Sequence, residues 1–570
     1  MKTNANLALS AIALAVSAFT SVQVHAGDGP ERSARMAHAQ PLARHVTRHN
    51  ALLAPAGDPG DDDTAVSLDP SISALCQSTI GQLNVYHPTG QNVDQINGDT
   101  IVSAGTQTGC NAAQNETTIA VNPRNPNNLV GGTNDYRIFN SREGRNDGSG
   151  WAYTTFDGGR TWRDVQLPHL TFQTGATGAL SDMDSAGDPA VAFGNDGTVY
   201  YANLVFSRLN DASGIVVSAS HDGGLTWGEP SIVHVDGVDG SGNPVATGIF
   251  NDKEWIAVDP RSGAVYVTWT SFQADGSPIS VSRSDDGGQT WSAPAFVNPA
   301  NSFTPGGLTP YSQGSIPQVG NDGTLYIAYE AAICATLNCD QPSDHDEVVV
   351  ATSTDGGQTF TNAAVAVDYD FPYNPDVGRS TLTGENFRMN SYPQMAIDRA
   401  TNALYVTWAD DRHGRYDANG NSIRTNGDVL VVSSRDGRRW SGVQTVGSGA
   451  DEFYPAIAAY GGQAAVSFYT RRYDPNGIGL DFAYAQADDG RFGGAGMTRI
   501  TSQTANPQGQ FVAIGAVTGT VLQGVFIGDY TAAAMGRDRV FHPSWTDFRG
   551  HPGVTSPNQD AYAQAIRLDQ

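Results

Sequence analysis

A chain of 570 residues with 58 acidic against 32 basic side chains carries a formal charge of −26. That balance excludes nucleic acid and anionic membrane surfaces as natural partners for the body of the protein. Hydrophobic residues make up 39% and glycines number 65, a composition suited to many short strands joined by tight turns.

The N-terminus reads as a secretory signal over residues 1–26. It has Lys2, an apolar run from Leu7 to Phe19 and a small-residue cleavage site at Val24-His25-Ala26. This predicts a secreted protein, periplasmic or extracellular, and no later stretch is long and apolar enough to span a bilayer as a helix. Residues 27–75 mix Ala, Arg and His, then turn acidic from Asp58 to Asp63. They lack the periodicity and aromatics needed to bury a core, and read as a flexible linker or pro-segment. Four cysteines suit an oxidising compartment, and their spacing suggests Cys76–Cys110 and Cys334–Cys339. A metal site is the other option for them, but no His stands near either pair.

From residue 76 to 570 the chain repeats one turn. It stands as Ser284-Asp285-Asp286-Gly287-Gly288-Gln289-Thr290-Trp291, and recurs as Ser220 to Trp227, Thr155 to Trp162 and Ser353 to Phe360. Shorter copies lie at Asp436 to Trp440 and Asp489 to Phe492. The Asp can accept hydrogen bonds from its own turn, the glycines supply positive φ and the Trp packs under the hairpin. Successive aspartates are 65, 64, 69, 81 and 53 residues apart, periods that fit the blades of an all-β propeller with long loops.

One unit can be written from Asp188: a strand over Pro189–Phe193, a turn at Gly194–Gly197, strands over Thr198–Phe206 and Ile215–Ser220, the boxed turn, and a last strand near Ser231–Val235. The first strand recurs at Thr117–Val121, Trp255–Val258, Pro317–Val319, Pro393–Ile397, Pro455–Ala459 and Tyr530–Met535. The sequence therefore predicts a single propeller of four-stranded antiparallel blades, seven in number with six as the alternative. The seventh blade lacks a fourth strand, which a segment between Leu83 and Val102 should supply, closing the ring and removing its exposed edges.

Tight A–B and C–D turns fall on one face, and long B–C and D–A connections on the other, where binding chemistry is expected. On that face several B strands end in an acid-Arg phrase. Arg137, Arg412 and Arg549, with Arg472 as a variant, are candidates to bind a carboxylate or sulfate, or else to brace their own loops. The A strands begin with Glu116, Asp188, Asp252-Lys253-Glu254 and Asp529, with Tyr392 and Tyr454 at related positions. Asp188, Glu254 and Tyr454 form the candidate catalytic set, against a solvated acidic rim as the plainer option. Asp417, Asn419 and Asn421 with Asp428 have oxygen spacing near that of a calcium loop, so Ca²⁺ is a candidate structural ion. Ser422 stands where the turn glycine belongs, and ordinary Asx turns explain the stretch as well.

Four boxed turns at blade spacing resemble the Asp-box (BNR) repeat proteins of the sialidase superfamily over roughly residues 110–570. The resemblance implies boxed turns opposite the active site and an activity needing no cofactor. Family sialidases release terminal sialic acid using three arginines on its carboxylate, a Tyr–Glu nucleophile pair and an Asp acid/base. The family's F/Y-R-I-P phrase is not matched: two places before Pro189, Pro317, Pro393 and Pro455 stand Gly187, Ser315, Ser391 and Phe453. Tyr136-Arg137-Ile138-Phe139 is similar in letters but ends a B strand and lacks the Pro, and seven blades depart from the family's six. The expectation is a monomeric, secreted, glycan-acting propeller: a glycoside hydrolase or related glycan-cleaving enzyme for an acidic sugar, or alternatively a non-catalytic propeller that binds glycan or protein.

Overall fold

The computed structural model describes residues 92–96 and 113–568, with interruptions at 143–144, 275, 300–302, 305–306, 337–338, 340, 342, 375–378, 418–420, 448, 488–489, 493–495, 509–511, 518–519 and 550–558. The signal segment, the 27–75 linker and the expected Cys76–Cys110 bridge lie outside the described residues. The Cys334–Cys339 bond is present. Among the described residues no helix is long and apolar enough to cross a membrane.

Seven antiparallel four-stranded blades form the propeller, as expected. Lettering strands A to D outward from the axis, blade 1 comprises Gln114–Val121, Leu129–Asn140, Arg145–Thr155 and Arg163–Gln166. Blade 2 comprises Ser185–Phe193, Val199–Phe206, Ser213–Ser220 and Ser231–Asp236. Blade 3 follows with Phe250–Val258, Val265–Phe272, Ile279–Ser284 and Ala295–Phe296, and blade 4 with Ser312–Val319, Leu325–Ile333, His345–Ser353 and Thr361–Asp368. Blade 5 has Gln394–Ile397, Leu404–Asp410, Asp428–Ser434 and Gln444–Val446; blade 6 has Glu452–Tyr460, Gln463–Thr470, Asp481–Gln486 and Met497–Arg499.

Blade 7 is built from Ala532–Met535, Val540–Asp547 and Asp560–Ala563, and its outer strand is Val93–Asp94 from the other end of the chain. Val93 pairs with Ala563 and Asp94 with Tyr562, so the closing strand lies inside the predicted window. The A strands pack against one another in order, and blade 7 meets blade 1. The core is a set of layers between blades, anchored by fully buried Trp151, Trp269, Trp408 and Trp545.

The boxed turns are built as their residues dictate. Asp286 accepts from the Gln289 and Thr290 amides at 3.0 and 2.9 Å and from the Ser284 hydroxyl at 2.8 Å, while Gly287 and Gly288 have φ of 75° and 79°. Asp157, Asp222 and Asp355 repeat the pattern. These donors hold the four carboxyls below their ordinary pKa. The Trp291 indole donates to Ser231 of the preceding blade at 3.0 Å, so this box also ties neighbouring blades together.

The A strands are longer than the sequence indicated. Register slips at Asn115/Thr118, Gly187/Ala190, Asp252/Trp255, Gln313/Ile316 and Phe453/Ala456 mark a β-bulge at equivalent places in blades 1, 2, 3, 4 and 6. A bulge breaks the two-residue alternation, so the sequence pattern shows only the half of each strand beyond it.

Candidate active site

The bulges determine which side chains reach the axis. Glu116, Asp188, Lys253 and Tyr454 occupy them with φ of 56°, 50°, 53° and 47°, left-handed backbone that costs a non-glycine residue about 1–3 kcal/mol. In blade 4 the equivalent residue is Gly314, φ 64°, where a Cβ would come within 2.6 Å of Tyr392. Strain repeated around one point is characteristic of a functional centre, since packing alone could use unstrained strands.

The four residues converge on the loop face. Lys253 Nζ lies 3.2 Å from Glu116, 3.1 Å from Asp188 and 3.0 Å from Asp529. Arg388 grips Asp529 with two parallel bonds, Nε to Oδ1 at 2.8 Å and Nη2 to Oδ2 at 2.6 Å. Asn134 donates to Glu116 at 3.0 Å and accepts from the Asp188 amide at 2.6 Å. The Tyr454 hydroxyl donates to the Arg388 carbonyl. Tyr530 lies beneath Lys253, 5.9 Å from its ammonium, and meets Trp255 edge-on.

All of these groups except the half-buried Trp255 are buried, and burial sets the electrostatics. It raises Glu116 well above the ordinary carboxyl range, helped by the charge of Asp188. Glu254, 1% exposed, is pushed well up by burial and then by Asp188. Neither Glu254 oxygen has a hydrogen-bond partner among the described residues. Burial also opposes charge on Lys253 and Asp529, but there the partners win: three carboxylates hold Lys253 well above its ordinary pKa, and Arg388 with Lys253 brings Asp529 down to about 2. The centre thus holds Glu254, whose charged form burial and the Asp188 charge disfavour, beside Asp188, which is ion-paired to Lys253. Two carboxyl groups in such contrasting settings are suited to divide acid and base roles.

The arginines named from sequence are arranged differently. Arg137 is buried, takes both oxygens of Asp135, reaches Asp164 at 2.6 Å and stacks 4.0 Å from the Trp151 ring centre. Arg412 and Arg549 fold back in the same way on Asp410 and Asp547, each also donating its own amide to that carboxylate. Arg472 is exposed, and its backbone amide donates to the Thr470 hydroxyl oxygen in the equivalent turn. These are four copies of one B-strand turn; Arg412 and Arg549 also reach back to the preceding blade, to the Val367 carbonyl at 3.0 Å and the Ser502 hydroxyl at 2.7 Å.

Asp417 accepts from the Asn421 amide at 2.9 Å in an Asx turn, and Asp428, at the start of strand C, is held by His413 from the turn after strand B. Asn419 lies outside the described residues.

Arg388 was not singled out by sequence. A search two places before each A-strand proline passes over it, because it stands five places before Pro393. It is carried by the connection from blade 4 to blade 5, residues 369–392, which crosses the face to blade 7. Besides Arg388, this strap is held by Asn390 on the Asp529 carbonyl at 3.2 Å, by Gln508 on Glu385, and by Arg471 on the Thr383 carbonyl at 3.1 Å. The described residues give the strap no counterpart between blades 5 and 6, where strand D ends at Val446 and strand A begins at Glu452.

No protein-family model matches the chain, and no curated protein matches it. Among solved structures it is similar to a Hadza microbial sialidase, at 14% identity over 77% of this chain and 73% of that one with a TM-score of 0.39. An intramolecular trans-sialidase from Ruminococcus gnavus gives 11% identity over 68% and 96%, TM-score 0.40. An ulvan lyase of a polysaccharide lyase family gives 9% over 80% and 94%, TM-score 0.43. At that level of similarity these likenesses carry no argument, and the account rests on the geometry above.

Proposed function

We propose that the protein is a secreted glycan-cleaving enzyme, a glycoside hydrolase for an acidic sugar, working at the axis of its loop face. The observation that carries this reading is Glu254: a buried carboxyl without a hydrogen-bond partner among the described residues, beside Asp188, which is itself ion-paired and held on left-handed backbone. Glu254 would donate its proton to the departing glycosidic oxygen. Asp188 would act on the sugar as nucleophile, or on water as base. Tyr454 has its hydroxyl engaged by Arg388, and its burial pushes the phenol pKa well up, so its role here is to hold the strap. Of the arginines named from sequence, Arg472, exposed on the same face, would meet the anionic sugar, while Arg412 and Arg549 stay closed on Asp410 and Asp547. Both roles and substrate preference need no cofactor. The Cys334–Cys339 bond is in keeping with an oxidising compartment.

A second reading, a propeller that binds glycan without turnover, is favoured by the closed centre, where Lys253 is only 6% exposed. Mass spectrometry of products after incubation with sialylated, uronic and neutral glycans separates the two. A defined released sugar supports the enzyme. Saturable binding with no new species for any glycan supports the binding module.

A further inference from the structure

A second set of buried acids lies off the axis, on blade 4. Across its sheet Ala332 is opposite Asp346, and Asp346 is opposite Asp368. Glu330 stands two residues from Ala332, so Glu330, Asp346 and Asp368 share one face over three adjacent strands. Asp370 follows on the strap. Glu330 and Asp346 are each 1% exposed, and all four of their carboxyl oxygens lack a hydrogen-bond partner among the described residues. The charges acting on Glu330 are those of Asp370 and Asp346, both of its own sign. The neighbouring cation, Arg412, is engaged by Asp410 at 2.6 Å.

Such a group cannot stay ionised in a dry interior without a counter-charge. Protonation would neutralise each group singly, but here Glu330, Asp346, Asp368 and Asp370 stand together against one another's charge, and among the described residues Glu330 and Asp346 have no hydrogen-bond partner. A cation satisfies both charge and lone pairs. Every donor is a hard oxygen, which suits calcium and not zinc or copper. Among the described residues no three His, Cys, Asp or Glu side chains are gathered to hold a metal ion. Two direct carboxylates completed by water and main-chain oxygens are therefore the fitting arrangement. The Cys334–Cys339 staple and Asp344, which accepts the Ala335 and Gln341 amides at 2.8 Å each, fix the loop between the two strands that carry these ligands.

We propose that Glu330 and Asp346 are direct ligands of a buried calcium-class cation, with Asp368 and Asp370 adding negative charge, at the junction of blades 4 and 5. This site is separate from the Asp417 loop and from the axial centre, and does not depend on the glycosidase reading.

The test uses the full chain stripped with chelator, then titrated with Ca²⁺ while melting temperature is followed, with bound metal counted by elemental mass spectrometry. Wild type should retain about one ion per chain and melt higher with Ca²⁺. Glu330→Gln and Asp346→Asn should weaken the Ca²⁺ midpoint by at least about tenfold, while Asp417→Asn leaves it unchanged. If the neutral variants do not fold, Glu330→Asp must still shift the midpoint. The assignment is overturned if wild type retains no ion and ignores Ca²⁺, if the Glu330 and Asp346 variants bind as tightly as wild type, or if Asp417→Asn abolishes the ion.

Discussion

Replacing Asp529 by Asn tests the electrostatics of the centre. The substitution preserves shape but removes the anion shared by Arg388, at 2.6 and 2.8 Å, and Lys253, at 3.0 Å. Both cations and the carboxylate are buried. Removing one partner of a buried ion pair costs about 3–5 kcal/mol because the other charge is left uncompensated. The carboxyl's fall from 3.8 to about 2 points the same way and corresponds to roughly 2–3 kcal/mol. Both place the loss at neutral pH between about 2 and 5 kcal/mol. A depressed carboxyl stabilises fully above its unfolded pKa of about 4, and the stabilisation disappears as pH falls toward about 2. Urea denaturation at a series of pH values should therefore show Asp529→Asn weaker than wild type at pH 7, with the gap narrowing below about pH 4. Equal midpoints at neutral pH, or a gap that does not narrow in acid, would refute the reasoning.

Other outcomes follow from the same contacts. Thr290→Val removes one hydroxyl bond to Asp286 on an exposed turn; it should lower stability by about 1 kcal/mol in a melt and leave turnover untouched, since the boxes face away from the centre. Arg412→Ala strands Asp410, which is fully buried, and should destabilise by about 3 kcal/mol. Arg472→Ala at an exposed position should leave the melt unchanged and raise KM instead. Glu452 is raised by burial, and then by Asp428, to about 8. The stability of its protonated form is present below about pH 4.3 and lost as pH rises through about 8, so Glu452→Gln should flatten the alkaline loss seen in wild type.

Much of this architecture is written locally. The boxed turn places its Asp, glycines and Trp within eight residues, so a single stretch such as Ser284–Trp291 reveals a hairpin and its count reveals the blades. The closing strand was legible by deficit, because blade 7 ran out of chain with one strand missing. The A-strand starts were legible only as residue types: Glu116, Asp188 and Glu254 stood out as carboxylates, but the bulges that turn them to the axis leave no periodic trace. The arginine phrases show the limit in another way. An Asp-x-Arg turn and a substrate clamp have the same letters, and only the fold shows Arg137, Arg412 and Arg549 each closed on its own Asp. Arg388 was invisible because its position depends on where a long connection lands, on blade 7 and far from its sequence neighbours.

The central claim is that Glu254 is the acid of a glycan-cleaving site. Burial, and then the charge of Asp188, raise its carboxyl well above its ordinary pKa, so kcat should fall as the pH rises far enough to ionise it. The most direct measurement is product formation from an acidic glycan by wild type and by folded Glu254→Gln, across that pH range. The account predicts release of a defined sugar by wild type with an alkaline limb, and loss of turnover with unchanged melting in the variant. Turnover by Glu254→Gln equal to that of wild type, or no product from any glycan, would contradict it.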